Sequence, residues 1–444
     1  MSSPSKLHAR FRCFARCNPD ASFPITQAIY RCPSCQGLLT VEHDLDALKR
    51  TSGKEWRKLF DGRLRSTRAP LASGIWSKRE WVAPEITDEH VVTTGEGMTP
   101  LFHAARLGRE IELPSLFVKQ CGSSHTGSFK DLGMTVLVSV VYQGVKTGAL
   151  RTNAIACAST GDTSAALAAY GAICGLPVVV LLPRGLVSNA QLVQPLAHGA
   201  RVLALETDFD GCMKIVQELA RRELIYLANS MNPLRIEGQK TVALENAQQL
   251  EWEVPDWIVL PSGNLGNAAA LYAGFKMMLD LGVTDRLPRL CVAQAANANP
   301  MYLAYVGKKS TVDPITAKRS HASAIQIGNP VSAPRAMAAL QAMDGVVEQA
   351  TEDELADACA RADRTGLYTD PHTGVALAAM FKLRERGLIQ ASDRVVVVST
   401  ANGLKFTEFK AGYHEKKLAE VDARRANAPE ILPADVEVVA ALLS

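Results

Sequence analysis

One lysine stands among glycine, serine and threonine in HTGSFKDLGM, residues 125–134, just ahead of the apolar run MTVLVSVVYQGV. That run has the apolar density of a buried helix, and Ser128 with Asp131 three residues on forms a capping pair, so Lys130 is expected in the helix's first turn. An ammonium there faces the positive end of the helix dipole and is disfavoured by a few tenths to ~1 kcal/mol. A lysine held as a neutral amine or an imine, with an anion beside it, is not. The alternative is an exposed lysine near a helix start.

Three more loops of the same kind follow. In CASTGDTSAALAAYGA (157–172) a strand ends at Ala158, and the turn 159–164 leads into an alanine-rich helix. Backbone N–H groups at such a start suit a carboxylate or a phosphate, although an ordinary capped turn has the same composition. In WIVLPSGNLGNAAALYAGF, Gly263, Asn264, Leu265, Gly266 and Asn267 lie between a buried strand and a helix. This is neither G-x-G-x-x-G nor a P-loop, and we read it as a phosphate cup. RVVVVSTANGLKF carries an apolar strand to Ser399 and Thr400, hydroxyls that either cap the next turn or face a ligand's ring nitrogen. An imine-forming lysine, a phosphate cup and a ring-nitrogen partner together describe pyridoxal phosphate, an electron sink for carbanions beside an amino group.

The elements that must position these loops are legible. LFVKQ, NAIACAS, PVVVLLP, ARVLALE, WIVLPS, LCVAQA and RVVVVST read as buried strands, most followed by helical segments. This is an α/β protein with largely parallel sheets, whose chemistry belongs at the carboxyl ends of the strands. A chain of 444 residues calls for two or three domains. Its 47% apolar and 21% charged residues are ordinary for a soluble protein, and a net charge of +3 argues against a nucleic-acid partner. No apolar stretch reaches the ~18 residues of a membrane span. MSSPSKLHARFRCFARC has no hydrophobic h-region. It is Arg- and Ser-rich and acid-free like a transit peptide, but runs into Cys13 too soon. Ten scattered cysteines indicate reduced thiols and a cytoplasmic location. A leader of about 95 residues holds Cys13, Cys17, Cys32 and Cys35, in the two-pair layout of a zinc ribbon with an unusual first spacing. Either they hold zinc or they are four reduced thiols in an appended lobe.

With these motifs in view the chain resembles the threonine synthases, above all their plant-like branch, in order over roughly residues 28–415. The resemblance rests on HTGSFKDLGMTVLVS, CASTGDTSAALAAY, LVQPLAHGA, RIEGQKTVALE, GNLGNAAALYAGFKM, AQAANANP, SAIQIGNPVS, DPHTGVALAA and VVVVSTANGLKF. It implies PLP fold type II (tryptophan synthase β-like): two open twisted, mostly parallel sheets flanked by helices. The expected division is a leader over 1–95, a large cofactor domain over 96–135 with 235–444, and a small α/β domain over 136–234. The implied activity converts O-phosphohomoserine and water into threonine and phosphate.

By the same resemblance Lys130 bonds the cofactor, 263–267 cup its phosphate, Thr400 faces its ring nitrogen, and Asp162 stands beside its phenolic oxygen where many relatives have Asn. Thr160, Asn229, Ser230 and Arg235 match the substrate-phosphate contacts, and a homodimer is implied. The leader departs from plant relatives, so their activation by S-adenosylmethionine is not carried over. Competing expectations are a threonine dehydratase or cysteate synthase of the same fold, or a catalytically silent binding protein. A dehydratase needs no second anion pocket, so the region of Arg235 discriminates.

Overall fold

The computed structural model describes residues 7–159, 161–185 and 189–443. Thr160 therefore lies outside the described residues. All seven expected strands are present: β5 (Leu116–Gln120), β6 (Ile155–Ala158), β7 (Val178–Pro183), β8 (Arg201–Leu205), β10 (Trp257–Pro261), β11 (Arg289–Ala295) and β13 (Val395–Ser399). Further strands are β1 (Ala9–Cys13), β2 (Phe23–Pro24), β3 (Leu39–His43), β4 (Leu101–His103), β9 (Tyr226–Leu227) and β12 (Val346–Ala350).

They form three sheets. In order β12-β11-β10-β13-β5-β4, six strands are parallel except for the antiparallel edge strand β4. A four-stranded parallel sheet runs β8-β7-β6-β9. The leader folds into an antiparallel β2-β1-β3 sheet. Strands β10 and β13 are buried along their whole length because helices cover both faces, which explains their unbroken apolar runs. ARVLALE departs from the expectation of a buried strand. As β8 it is an edge strand, with Arg201 and Ala204 exposed.

Five helices carry the candidate site: α1 (Lys130–Lys146), α2 (Asp162–Cys174), α3 (Leu234–Gln239), α4 (Gly266–Asp280) and α5 (Pro371–Glu385). The tightest contact is between α1 and α3. A Cβ on Gly238 would stand 1.6 Å from the Leu132 carbonyl oxygen, and one on Gly133 would stand 2.7 Å from the Arg235 carbonyl oxygen. Two glycines thus let the backbones touch and set Arg235 against the helix that begins with Lys130. Helix propensity alone makes Gly238→Ala favourable by up to ~1 kcal/mol, whereas overpacking against backbone costs about 1–3 kcal/mol. We therefore expect Gly238→Ala to lower the midpoint of denaturant unfolding; an unchanged or raised midpoint would show that the helices have room to separate.

Candidate active site

The loops named from sequence meet at the carboxyl ends of the strands. Strand β5 leads through residues 121–129 to α1, and Phe129 N–H donates to the Thr400 carbonyl at 2.9 Å. Asn402 N–H donates to Gly127 at 2.9 Å, and Ser128 bridges Ala401. Lys130 and Thr400 are thereby placed side by side.

The expected capping pair is not formed. Helix α1 begins at Lys130, as read, but Phe129 precedes it and no side chain caps it. The Asp131 carboxylate turns back to accept from Thr126 N–H at 2.7 Å and from its hydroxyl at 2.5 Å. Ser128 Oγ lies 3.4 Å from the Lys130 N–H. A buried turn outcompetes the cap because Asp131 is fully enclosed and needs donors. Burial raises this carboxyl to about 7 against those bonds.

Helices α2 and α4 likewise lack a capping side chain, and Leu265 at the start of α4 is left-handed with φ 64°. Elsewhere, capping boxes at Ser52–Glu55 and Thr351–Glu354 close the helices they begin. Ser128, Ser159 and Asn267 nonetheless each accept from one first-turn N–H, those of Lys130, Ser164 and Ala268, so the donors left for an anion are the first two N–H groups of α2 and of α4. The 263–267 loop is rigid by construction. A Cβ on Gly263 would stand 2.6 Å from Ile325 Cα, the Asn264 carbonyl accepts from Ser332 N–H at 3.1 Å, and the Asn267 amide bonds Pro261 at 2.6 Å and Ser262 at 2.5 Å.

Lys130 keeps some exposure as a residue, but burial of its amine, then the charge of Arg235, and to a lesser extent Lys405, push it from 10.5 down to about 7; Asp162 pulls the other way. The amine lies 3.9 Å above the Phe129 ring. Arg235 is buried and poorly satisfied. Its Nη atoms lie 3.4 Å from the Ala228 carbonyl and from Thr163 Oγ1, and its Nε has no partner among the described residues. Burial lowers even this guanidinium to about 10.

Asn229 accepts from Ala158 N–H at 3.0 Å and donates to its carbonyl at 2.8 Å, so one donor and one acceptor of its amide fix the end of β6. Ser230 follows in a partly exposed turn. Thr400 is buried beside Ser399, whose hydroxyl lies 3.0 Å from that of Thr373. Asp370, at the start of α5, ties this corner together by accepting from His372 at 2.5 Å, from the Thr373 hydroxyl, and from Ala401 N–H at 3.3 Å.

Sequence reasoning missed Lys405. Its ammonium pairs with Asp162 at 2.8 Å and donates to the Thr126 carbonyl and to Gln194 Oε1, both at 3.0 Å. Asp162 thus has a cation as its partner. Only the stretch TANGLKF pointed there, and nothing in a lysine after a strand end names a carboxylate so distant in the chain.

A cavity of about 780 Å3 bordered by Arg57, Ser115, Trp252, Asp256 and Arg394 lies at the amino ends of β5, β10 and β13, away from these groups. In the leader, the Sγ atoms of Cys13, Cys17, Cys32 and Cys35 all lie within 4.8 Å of one another.

The model of the pyridoxal-phosphate dependent enzymes matches residues 92–401. Threonine synthase 2, chloroplastic, of Arabidopsis thaliana is 55% identical over 410 residues, 92% of this chain and 79% of that protein. The chain belongs to the threonine synthases, within the pyridoxal-phosphate dependent enzymes. The threonine synthase of Methanocaldococcus jannaschii is 37% identical over 385 residues, 86% of this chain and 90% of that one. The crystal structure of threonine synthase from Escherichia coli has the same fold, with a TM-score of 0.65 at 21% identity over 96% of this chain and 97% of that one. The donor set fits the family's cofactor: an amine neutral above about pH 7, the first N–H groups of α2 and α4, and a rigid glycine loop whose backbone can approach a phosphate. Among the described residues no helix is long and apolar enough to cross a membrane.

Because its pKa is lowered, Lys130 is neutral above about pH 7. In cofactor-free protein, labelling of Lys130 by a small amine-reactive reagent, followed by peptide mass spectrometry, should rise through pH 7 and level off before pH 10. A rate that climbs past pH 10, as for an ordinary lysine, would contradict this environment.

Proposed function

We propose that this chain converts O-phospho-L-homoserine and water into L-threonine and phosphate, and that it binds pyridoxal phosphate through Lys130. The observation that carries the reading is Arg235, a buried and under-satisfied guanidinium set beside Lys130. An unpaired buried cation is costly, and a phosphate is the ligand that two parallel N–H groups match. A synthase acting on a phosphorylated substrate needs this second anion site; a dehydratase does not.

Residues 263–267 and the start of α4 would hold the cofactor phosphate, Thr400 the ring nitrogen and Asp162 the phenolic side. When bound, the cofactor supplies the electron sink for a carbanion at Cα. Lys130, neutral near pH 7, is the base that accepts the Cα proton and the acid that returns it. Arg235 holds the leaving phosphate as its charge develops, with Ser230 and Thr160 proposed as further contacts. Asn229 acts from the end of β6. A proton is lost from Cβ and one is gained at the γ-carbon as phosphate leaves, and water then adds at Cβ, its hydroxyl going to carbon and its proton to the phosphate.

The Lys405 ammonium pairs with Asp162 at 2.8 Å. The proposed domain division, 1–95, 96–135 with 235–444, and 136–234, is supported by the sheets: β6 to β9 all fall within residues 155–227. For the leader we propose a zinc ion held by Cys13, Cys17, Cys32 and Cys35. A homodimer in the cytoplasm completes the reading. Ten free cysteines support a reducing compartment, and the dimer rests on the family resemblance.

Arg235→Ala should lose roughly 2–4 kcal/mol of transition-state stabilisation, a fall of ~30- to 1000-fold in kcat/KM for O-phosphohomoserine. The variant should keep its cofactor and yellow colour, since the cofactor phosphate is held elsewhere. Arg235→Lys should rescue little of the loss, because an ammonium cannot make the paired contact. Turnover of O-phosphohomoserine by Arg235→Ala at the wild-type rate would refute the pocket. Elemental analysis should find about one zinc per chain in protein purified without chelator.

A further inference from the structure

The leader does more than decorate the fold. We propose that its thiolate-bound metal clamps a lobe whose His43 positions Arg235, so that the lobe sets affinity for the phosphorylated substrate.

The geometry begins at the cysteines. Cys13–Cys35 and Cys17–Cys32 are the close Sγ pairs, each at 3.5 Å. Disulfide sulfurs stand about 2.05 Å apart, so neither pair is bonded. Four sulfurs at ~2.3 Å from one zinc stand about 3.8 Å apart, which is the spacing these four approach. Both turns are shaped for it. Arg16 and Gln36 adopt left-handed φ values of 54° and 57°, and Gly37 N–H points at Cys35 Sγ at 3.4 Å. The close pairs are crossed between the two turns, so one ion would join the end of β1 to the chain entering β3. A lobe this small, with Phe11, Ile25 and Leu39 in its core, needs such a staple.

The far end of the same hairpin reaches the substrate side. Cys13 pairs with Leu39 in the β1–β3 ladder, and Ala9 pairs with His43 at its other end. His43 Nε2 lies 2.7 Å from Glu237 Oε2 and 3.0 Å from Lys240 Nζ, and Lys240 also pairs with Glu237. All three are buried, and burial first, then the charge of Lys240, keep the imidazole neutral. Glu237 lies on α3, two residues from Arg235.

On the other side of Arg235, the Tyr30 hydroxyl accepts from Leu227 N–H at 2.8 Å, and its ring packs edge-on against Tyr226 at 5.5 Å. The next residue, Ala228, is the carbonyl that Arg235 touches. The lobe therefore holds both segments that aim the guanidinium. A second tie, from Arg335 to the Leu39 carbonyl, leads through Ser332 to Asn264 and the cofactor side. His43 variants leave that tie in place and so separate the two effects.

The inference rests on Arg235 binding the substrate phosphate, and His43 is a positioning residue. The test is steady-state kinetics of the holoenzyme with O-phosphohomoserine, the inhibition constant of inorganic phosphate, the visible spectrum and the zinc content. His43→Ala should raise both KM and the phosphate inhibition constant roughly tenfold, with kcat changed by less than about threefold and the spectrum and zinc unchanged. His43→Gln, whose amide can donate to Glu237 or accept from Lys240 in place of Nε2, should recover most of the loss. Removing zinc from wild-type protein should reproduce the rise in KM.

Wild-type KM and phosphate inhibition in soluble His43→Ala would overturn the positioning role. So would a parallel loss of cofactor, which marks general damage. If His43→Ala does not fold, Tyr30→Phe should give the same shift in smaller measure, and no shift there would overturn it equally. Protein without zinc defeats the metal clamp while the His43 result still stands. A wild-type protein that neither turns over O-phosphohomoserine nor binds phosphate defeats the functional reading beneath both.

Discussion

The structure turns on a backbone contact between two helices. Gly133 and Gly238 let α1 and α3 approach until a single methyl group would collide with a carbonyl. That approach brings Arg235 next to the start of α1, and no charge attraction explains it, since Arg235 and Lys130 repel. Packing free energy therefore holds two basic side chains together. The immediate consequence is electrostatic. Arg235 is the largest contributor after burial to the lowered value of Lys130, so the same contact that builds an anion pocket also frees the amine to act as a base.

The balance of charge around the site explains what it awaits. Lys130, Arg235 and Lys405 surround Asp162, and the charge of Lys405 also reaches Asp131. A buried guanidinium with an unpaired Nε costs roughly 1–3 kcal/mol, a cost that a bound dianion offsets. The first two N–H groups of the helices that start at 162 and 266 point the same way. Two anionic groups, one on the cofactor and one on the substrate, satisfy this arrangement better than one.

Much of this was legible because parallel strands covered on both faces must be apolar throughout, and their loops must hold whatever polar chemistry the chain performs. VVVVS and WIVLP announced themselves in that way. β12 did not: Glu348 and Gln349 interrupt it, and as an edge strand it pairs them with Arg386 and Asn299. The capping pair failed because Asp131 found stronger donors in Thr126. The bond of the Asn229 amide to Ala158 is a tertiary contact that local sequence does not encode. Lys405 and His43 were missed for the same reason, as their partners lie far along the chain. The resemblance to a known family supplied Arg235, which sequence pattern alone would have left as a surface charge.

The most direct test of the whole account is to incubate purified protein and pyridoxal phosphate with O-phosphohomoserine and to measure phosphate and threonine in the same samples. The account predicts that both appear together in equal amounts. Absence of phosphate, with brisk deamination of threonine to its keto acid, would contradict it and assign the site to a dehydratase.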